Sequence, residues 1–237
     1  MNPRNADAIA LIPARGGSKG IPRKNLAQVG GRSLLDHAIT AARESGAIAR
    51  ICVSSDDADI LAAADRAGAE RLERPARYAT DAATSDEVIA HFIEALRPEI
   101  GADQPIVLLQ PTSPLRTGAH VAEAVRLWRA GDAAGVVSVF EPDHHPAKSF
   151  RLDESGHLRG FFGDDAPFVP RQTLPRAYQP NGAVYVFSVA EFMRDRRIPR
   201  ARLVPLVMRG DQSLDIDSAA DLVLAETLLQ GKPPCHT

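Results

Sequence analysis

Short apolar runs recur along the chain, and polar segments with helical spacing separate most of them. The runs are β-branched and bounded by turn residues, which predicts buried strands. The six predicted strands are Ile9–Ile12, Ile51–Ser54, Ile106–Leu109, Val136–Phe140, Ala183–Phe187 and Leu203–Met208. Predicted helices run over Leu34–Arg43 after Ser33, from Ser85 to Leu96, and over Ala119–Ala130 after Thr117. This alternation predicts an α/β fold of three layers, with a mostly parallel sheet, helices on both faces and ligands at the strand ends.

The segment from Glu141 to Pro180 departs from this alternation. It is rich in Pro, Gly and charged residues, and its stretch FRLDESGHLRGFF has the pattern of a hairpin around Ser155-Gly156. We therefore interpret residues 141–180 as an insertion late in the chain. Composition alone leaves open whether the insertion is a functional arm or an exposed excursion without a role.

Composition limits the classes of function. A chain of 237 residues can bury one sizeable core, so residues 1–237 are predicted to form a single domain. The formal net charge is −2, with 28 Lys+Arg against 30 Asp+Glu, so no overall basic field favours nucleic acid or an anionic membrane as a partner. Any cations that serve a small anionic ligand must therefore be local.

Cysteine usage and hydropathy predict where the protein resides. Cys52 and Cys235 are far apart and do not indicate a disulfide framework, which fits a reducing cytoplasm. No apolar stretch of about 18 residues is present, and the N-terminal MNPRNAD lacks the apolar centre of a signal peptide. We expect a soluble, unprocessed, cytoplasmic protein.

The first predicted strand runs into a glycine-rich, basic loop, IALIPARGGSKGIPRKN, which carries Arg15, Lys19, Arg23 and Lys24. Glycines allow backbone N–H groups to approach anionic oxygens, and the cations neutralise their charge. The spacing fits neither the Walker loop nor the dinucleotide-binding fingerprint. The loop therefore predicts a phosphate site of another kind, and a solvated basic loop is the alternative.

Three other positions are candidates for chemistry. Thr84 and Ser85 open a predicted helix, where free N–H groups and hydroxyls can bind a base edge or simply cap the helix. Gln110 ends a strand before Pro-Thr-Ser-Pro, so its amide either enters the cleft or fixes the turn.

Asp215 and Asp217 alternate about Ile216, an arrangement that can aim two oxygen ligands at Mg²⁺ while Ile216 faces the core. The alternative is that Asp217 or Ser218 caps a final helix over Ala219–Leu229. The adjacent His144 and His145 have no Cys or Glu partner at a useful spacing, so a zinc site is not predicted.

Five separated blocks of sequence resemble one enzyme family, in the family's own order. They are the loop Ile9–Asn25, LLQPTSPLR over Leu108–Arg116, HHPAK over His144–Lys148, Pro170–Gln172 with Pro180–Ala183, and Asp215–Asp217. On these motifs, which cover nearly the whole chain, it is identified as a member of the CMP-sialic acid synthetase (acylneuraminate cytidylyltransferase) family. The resemblance implies a Rossmann-like nucleotidyltransferase fold and Mg²⁺-dependent transfer of CMP from CTP to a nonulosonic acid. It also implies a homodimer in which residues 141–180 form the dimerisation arm and lend residues to the neighbouring active site.

The resemblance further implies roles for individual residues. Those implied to bind the nucleotide are Ala14, Arg15, Gly16, Lys24, Asn25, Thr84, Ser85 and Gln110, and those implied to bind the sugar acid are Gln110, Lys148, Arg171, Asn181 and Tyr185. Asp215 and Asp217 would hold the metal, and together with Arg15 and Lys24 they form the implied catalytic set. Without the resemblance, Lys148, Arg171 and Asn181 are surface polar residues, and Tyr185 is equally a core ring on a strand.

Two alternatives to this function stay open. The acceptor could be legionaminic, pseudaminic or an eight-carbon Kdo-type acid, because Arg196-Arg197-Ile198-Pro199 lacks the aromatic residues that synthetases for N-acetylneuraminate often carry there. In another class, the chain would be a nucleotide-binding regulatory subunit without turnover. The joint presence of the phosphate-site, Gln110 and Asp215/Asp217 candidates favours the enzyme.

Overall fold

A seven-stranded sheet forms the centre of the structure, a computed structural model that describes residues 7–18 and 20–231. Its strands are β1 (Ala8–Pro13), β4 (Ile48–Ser55), β5 (Glu70–Glu73), β6 (Pro105–Leu108), β7 (Gly135–Phe140), β10 (Gln179–Ser188) and β11 (Leu203–Val207). Two small hairpins pair β2 (Gln28–Val29) with β3 (Arg32–Ser33), and β8 (Phe150–Leu152) with β9 (Leu158–Gly160). The sheet order is β11-β7-β10-β6-β1-β4-β5. Neighbouring strands are parallel except β10, which runs antiparallel to β6 and β7.

Helices cover both faces of the sheet, which confirms the predicted three-layer architecture. The helices are α1 (Leu34–Glu44), α2 (Ala58–Arg66), α3 (Ser85–Leu96), α4 (Gly118–Ala130), α5 (Val189–Asp195) and α6 (Ala219–Leu229). Buried side chains of α1, α2 and α4 form one core cluster with one face of the strands, and those of α3 and α5 form a second cluster with the other face. Successive residues of β1 alternate between the two clusters, as a strand buried on both faces requires. No helix within the described ranges has the length and apolarity needed to span a bilayer.

All six predicted strands are present, but the pattern of apolar residues missed β5 and the helices α2 and α5. β5 reads Glu-Arg-Leu-Glu and lies at the edge of the sheet, where only β4 pairs with it. Its residues are exposed or partly exposed, so the apolar run that identifies a central strand is missing. β10 begins at Gln179, four residues before the predicted start, because its first residues pair with β7 beyond an irregularity between Pro180 and Tyr185.

The parallel strands β1, β4, β5 and β6 all end at one edge of the sheet. The chain runs from β1 to β4 and β5 on one side of β1 and then returns to β6 on the other side, so β1 lies where the strand order reverses. A crevice at the carboxyl ends of strands is expected where the strand order reverses in this way. The basic loop follows β1 and Gln110 follows β6, and both therefore lie at this crevice.

The chain leaves the sheet between Phe140 and Gln179, where the insertion was predicted. The segment contains the β8–β9 hairpin and three short 3-10 turns, at Pro146–Lys148, Ala166–Phe168 and Arg171–Thr173. Gly156 takes φ +80° at the tip of the hairpin, as its Ser-Gly turn predicted. The residues between Phe140 and Gln179 form no strand of the central sheet.

Candidate functional site

A cavity of about 300 Å³ occupies the crevice at the carboxyl edge of the sheet. It is lined from three directions: by the basic loop after β1, by the turn after β6, and by the segment that leads into α3. The residues predicted for the nucleotide site that line it are Arg15, Lys24, Asn25, Thr84, Ser85 and Gln110. Folding therefore brings together six positions that are up to 95 residues apart in the chain.

Backbone hydrogen bonds fix the start of the loop. The amide of Ala14 donates to the carbonyl of Ser54 at 3.0 Å, and the amide of Gly16 donates to Asp56 Oδ1 at 3.1 Å. A Cβ at Gly16 would lie 2.7 Å from Asp57 Oδ2, so this position is closely packed against the turn after β4. The amides of Ala14 and Gly16 thus already have protein acceptors, and their predicted contacts with the nucleotide stay predictions.

Two cations of the loop are held by carboxylates at the edge of the cavity. Arg15 Nη1 lies 2.8 Å from Asp81 Oδ1 and also donates to the carbonyl of Thr80 at 3.2 Å. Lys24 Nζ donates to Asp217 Oδ1 at 3.0 Å. Both carboxylate partners are at least half exposed, so these ion pairs contribute little stability and exchange readily for a stronger anion.

Asn25 fixes the shape of the loop from inside, since its buried side chain donates to the carbonyl of Arg15 at 2.8 Å. Of the other two cations in the loop, Arg23 pairs with Asp59 at 2.6 Å and does not line the cavity, and Lys19 lies outside the described residues, as does Cys235. Arg15 and Lys24 are thus the described loop cations that line the cavity.

The segment Asp215–Asp217 is anchored next to the loop. Ile216 is fully buried, as predicted, and packs in a small cluster with Ile21 and Leu34. Its amide donates to the carbonyl of Thr112 at 2.9 Å, and its own carbonyl accepts from Lys24 Nζ at 2.8 Å. Ile216 thus anchors the segment beside the loop, where Asp217 pairs with Lys24, and neither Asp215 nor Asp217 lines the first cavity.

The two carboxylates differ in environment. Desolvation raises the pKa of Asp215, a hydrogen bond from Thr112 opposes the rise, and the nearby charge of Asp217 adds to it. Asp217 is exposed and pairs with Lys24. The helix cap is Ser218, with Asp221 as its reciprocal partner, so Asp217 is not needed to cap α6.

Thr84 and Ser85 lie where α3 begins. Thr84 is the N-cap residue: its hydroxyl accepts from the amide of Glu87 at 3.2 Å, and Glu87 Oε2 accepts from the amide of Thr84 at 2.7 Å. Ser85 is the first helical residue and lines the cavity. Thr84 thus caps the helix and also borders the cavity, and its predicted contact with a base stays a prediction.

Gln110 is held at the strand end by its neighbours. Fully buried Arg116 donates through Nη1 to the carbonyls of Gln110 at 2.9 Å and Ala183 at 2.8 Å, and burial lowers its pKa to about 9. The Gln110 side chain lies against Gly182, where a Cβ would be 2.5 Å from Oε1. Arg116 thus ties the Gln110 turn to β10.

Of the predicted sugar ligands, Asn181 and Tyr185 lie on β10. Asn181 is buried, donates to Ser213 Oγ at 2.9 Å and to Met208 Sδ at 3.3 Å, and accepts from the amide of Ala183. Burial and, secondarily, the charge of Asp215 raise the pKa of the Tyr185 hydroxyl. Tyr185 is thus within the electrostatic field of the carboxylate pair, whereas Asn181 stabilises the turn beside Gln110.

A second cavity of about 380 Å³ adjoins the first, since Ser85 lines both. Its walls include Tyr185 and the aliphatic side chains of Val137, Ile198 and Leu203. The stretch Arg196-Arg197-Ile198-Pro199, which has no aromatic residue, therefore contributes Ile198 to an aliphatic wall next to the first cavity.

Lys148 and Arg171 lie in the segment outside the sheet and do not line the first cavity. Lys148 Nζ donates to the carbonyls of Pro167 and Val169. Arg171 lines a separate cavity of about 320 Å³ together with His145 and Arg176. Within one chain, these two cations are not brought to Gln110.

His145 stabilises the turn that contains Pro146. Its Nδ1 accepts from the amide of Ala147 at 3.1 Å, and its Nε2 lies 2.9 Å from the carbonyl of Pro175. Across residues 7–18 and 20–231 there is no group of three or more His, Cys, Asp or Glu side chains that could hold a metal ion.

Two large side chains that line the first cavity, Arg74 and Tyr78, were not among the predicted site residues. Arg74 follows β5, its side chain is only 4% exposed, and its Nε and Nη2 have no hydrogen-bond partner among the described residues. Its closest carboxylate is Asp56, 3.8 Å away, and desolvation lowers its pKa. The one available signal was the position of Arg74 after a strand, and β5 itself was not predicted.

Comparison with known proteins agrees with this geometry. The family model described as Cytidylyltransferase matches residues 9–156. The chain is 33% identical over 217 residues to an N-acylneuraminate cytidylyltransferase of Streptococcus agalactiae, covering 91% of this chain and 51% of that protein. It is 29% identical over 230 residues to a CMP-N,N'-diacetyllegionaminic acid synthase of Legionella pneumophila, covering 94% of this chain and 96% of that protein. The chain thus spans about half the length of the Streptococcus N-acylneuraminate relatives that it matches.

A solved structure shows the same fold. It is a CMP:2-keto-3-deoxy-manno-octonic acid synthetase complexed with CTP, and it superposes with a TM-score of 0.69 at 15% identity, covering 95% of this chain and 99% of that chain. The family model and the curated relatives point to the same enzymes as the five sequence blocks, and the solved structure shows the fold. The chain belongs to the cytidylyltransferase family, and its similarity to N-acylneuraminate cytidylyltransferases confirms the resemblance to CMP-sialic acid synthetases.

Proposed function

We propose that this chain transfers CMP from CTP to the anomeric hydroxyl of a nonulosonic acid of the N-acylneuraminate type. The observation that supports this most strongly is the convergence of the basic loop, the Gln110 turn and the start of α3 on one cavity. Lys24 joins that cavity to the Asp215–Asp217 segment. Cations for a triphosphate, polar groups for a base and carboxylates for a metal are thus within one site.

In the proposed reaction, the sugar hydroxyl oxygen attacks the α-phosphorus in line. The new O–P bond forms as the bond to the bridging oxygen of the β-phosphate breaks, pyrophosphate leaves, and the hydroxyl proton is released. Arg15 and Lys24 would exchange their carboxylate partners for phosphate oxygens, which make stronger charge-assisted hydrogen bonds. The chain contributes positioning and charge stabilisation, and the reaction needs no covalent enzyme intermediate.

Asp215 and Asp217 are the residues that would hold Mg²⁺. Mg²⁺ is commonly bound through one or two carboxylates, with substrate phosphates completing its coordination, and these two carboxylates match that donor set. Their fit is supported by mutual repulsion, since the charge of Asp217 contributes to the raised pKa of Asp215 and a cation would relieve it. When bound, the metal would act as a Lewis acid that offsets charge developing on the phosphates.

The acceptor would lie between Gln110 and the second cavity. Tyr185 relates the second cavity to the carboxylate pair. Burial and, secondarily, the charge of Asp215 raise the pKa of its hydroxyl, and the same residue lines the second cavity. The aliphatic wall formed by Ile198 and its neighbours suits an apolar acyl substituent, which supports an N-acylated acid. Legionaminic, pseudaminic and Kdo-type acids are the alternative acceptors.

We further propose that residues 141–180 form the arm of a homodimer. Large apolar side chains are exposed along this segment, and their exposed fractions are 41% for Phe150, 68% for Leu152, 64% for Leu158, 58% for Phe161, 65% for Phe162 and 76% for Phe168. A concentration of exposed apolar residues in one segment favours a protein partner. A second copy of the chain is the occupant that also explains why Arg171 lies away from Gln110, since the arm would carry it to the partner's site.

The crossing of the arm can be tested by complementation. An Arg171→Ala chain and an Asp215→Ala chain would each form a nearly inactive homodimer. If arms are exchanged, a heterodimer contains one site with both defects and one site with none. Recovery toward half of the wild-type activity per heterodimer supports crossing, and verified heterodimers without recovery would show that each chain builds its own site.

Pyrophosphate release tests the proposed activity itself. Purified protein, CTP and Mg²⁺ would be incubated with a panel of acids: N-acetylneuraminic, legionaminic, pseudaminic and Kdo. The proposal predicts release that requires an acid of the nine-carbon type, and the preferred acid identifies the acceptor. CTP binding without release for any acid would indicate a regulatory subunit instead. The proposal also includes a cytoplasmic location. Fractionation of cells that produce the untagged protein is the direct test.

A further inference from the structure

Two of the three groups of residues that line the first cavity bear on where a nucleotide would lie. Arg15, Gly17, Lys24 and Asn25 belong to the glycine-rich basic loop, and Tyr78, Thr84, Ser85 and Val88 belong to the 3-10 turn after β5 and the start of α3. In the proposed function the triphosphate lies against the first group and the base against the second, with the Gln110 turn as the third wall. Tyr78 is the sole aromatic among the described residues that line the cavity.

Two side chains contact the ring of Tyr78. The guanidinium carbon of Arg77 lies over the ring, 4.6 Å from its centroid. The imidazole of His91 on α3 lies 5.3 Å from it, centroid to centroid, with the two ring planes at 40°. A cation over an aromatic face and a tilted ring pair are both favourable arrangements. Two contacts from separate elements therefore fix Tyr78 at the wall of the cavity.

His91 contributes as an uncharged ring. Desolvation lowers its pKa, the charges of Arg77 and Arg74 lower it further, and Glu94 opposes them. At neutral pH the imidazole is thus neutral, and it packs against Tyr78 without adding charge to the base end of the cavity. Val88, which is buried, extends the apolar surface beside the ring.

We propose that Tyr78 is a base-contacting residue whose ring, fixed by Arg77 and His91, determines how tightly this chain binds a pyrimidine nucleotide. The inference rests on the proposed function, because that function places the base in this part of the cavity. A pyrimidine has a π-face, so an aromatic ring at this wall provides contact area that is independent of hydrogen bonding. The contact would stabilise the bound nucleotide before and during transfer alike.

Calorimetry with two ligands tests the contact. CTP presents both base and phosphates, whereas inorganic tripolyphosphate presents phosphates only. Tyr78→Leu removes the ring and is expected to raise the Kd for CTP at least about fivefold, with an unchanged Kd for tripolyphosphate. Tyr78→Phe keeps the ring and is the matched control, expected to bind CTP within about twofold of wild type. Because base contact acts on ground state and transition state equally, KM for CTP should rise and kcat should not change.

A spectroscopic variant gives a second measurement that does not depend on the stability of Tyr78→Leu. In Tyr78→Trp the new indole would lie at the cavity wall, and CTP should change its fluorescence while tripolyphosphate should not. Trp128, the chain's single native Trp, is 3% exposed, so wild type provides the background signal.

The outcomes separate this inference from the proposed function. Wild-type affinity of Tyr78→Leu for CTP, or equal fluorescence responses to CTP and tripolyphosphate, would overturn the role of Tyr78 and leave the proposed function intact. If the wild-type protein bound tripolyphosphate as tightly as CTP, or bound no CTP at all, both the inference and the proposed function would be overturned.

Discussion

Replacing Gly182 by Ala is expected to impair acceptor use because the added methyl group would displace the side chain of Gln110. Gly182 has φ +74°, and a Cβ there would lie 2.5 Å from Gln110 Oε1. Ordinary contact begins at 3.4 Å, so the oxygen must retreat by about 0.9 Å. Because Oε1 is the far end of a flexible side chain, the fold can accept the new methyl group by displacing the Gln110 amide.

The substitution is expected to lower both the stability of the protein and the rate of transfer, and the two losses differ in size. The left-handed backbone conformation costs about 1–2 kcal/mol for a residue with a Cβ. For a chain of this length, that loss lowers Tm by about 2–8 °C. A displacement of about 1 Å in a positioning group can cost about a hundredfold in rate. Gly182→Ala should therefore be moderately destabilised but strongly impaired in transfer to the acid.

Gly31→Ala is the matched control. Gly31 has almost the same backbone conformation, φ +75°, and nothing lies within 4 Å of the position that an added methyl group would take. Melting curves of both variants should show similar losses of stability. Steady-state kinetics should show reduced use of the acid in Gly182→Ala alone. Equal kinetics in the two variants would refute the assignment of Gln110 to the acceptor side of the site.

Three further predictions concern charged residues. Lys24→Ala should lower kcat/KM for CTP by about 10- to 150-fold, because a charge-assisted hydrogen bond is lost, and unchanged CTP kinetics would contradict the phosphate role. Asp215→Ala and Asp217→Ala should each nearly abolish turnover with little change in melting temperature, and wild-type kcat at limiting Mg²⁺ in both would remove the metal assignment. Arg171→Lys should raise KM for the acid but not for CTP, because an ammonium cannot reproduce the guanidinium fork, and an unaltered KM would place the carboxylate elsewhere.

The central strands could be predicted from sequence because burial on both faces leaves an unambiguous signal. β1 and β6 are continuous apolar runs, and each is followed by a residue of the candidate site. β5 gave no such signal, since an edge strand with exposed Glu and Arg side chains has no need of an apolar run. Missing β5 also concealed Arg74, whose significance depends on its position at a strand end.

Many residues that line the first cavity could be identified from sequence because they lie in motifs with unusual composition. The loop from Arg15 to Asn25 combines glycines and cations, and that combination has few structural uses. Tyr78 has no comparable signal: an aromatic residue between Arg77 and Ala79 acquires meaning only when α3 brings His91 beside it. The proposed sugar ligands of the arm could be identified only through the resemblance, because Arg171 and Gln110 do not meet within one chain.

The most direct test of the central claim follows the α-phosphate of CTP. CTP radiolabelled on its α-phosphate, and separately on its γ-phosphate, would be incubated with the preferred acid and Mg²⁺, and the products separated. The account predicts that the α-label moves into the CMP-sugar and the γ-label into pyrophosphate, in equal amounts, and that Asp215→Ala forms neither product. Recovery of the α-label in free CMP or CDP, with no labelled sugar, would contradict transfer of CMP to a nonulosonic acid.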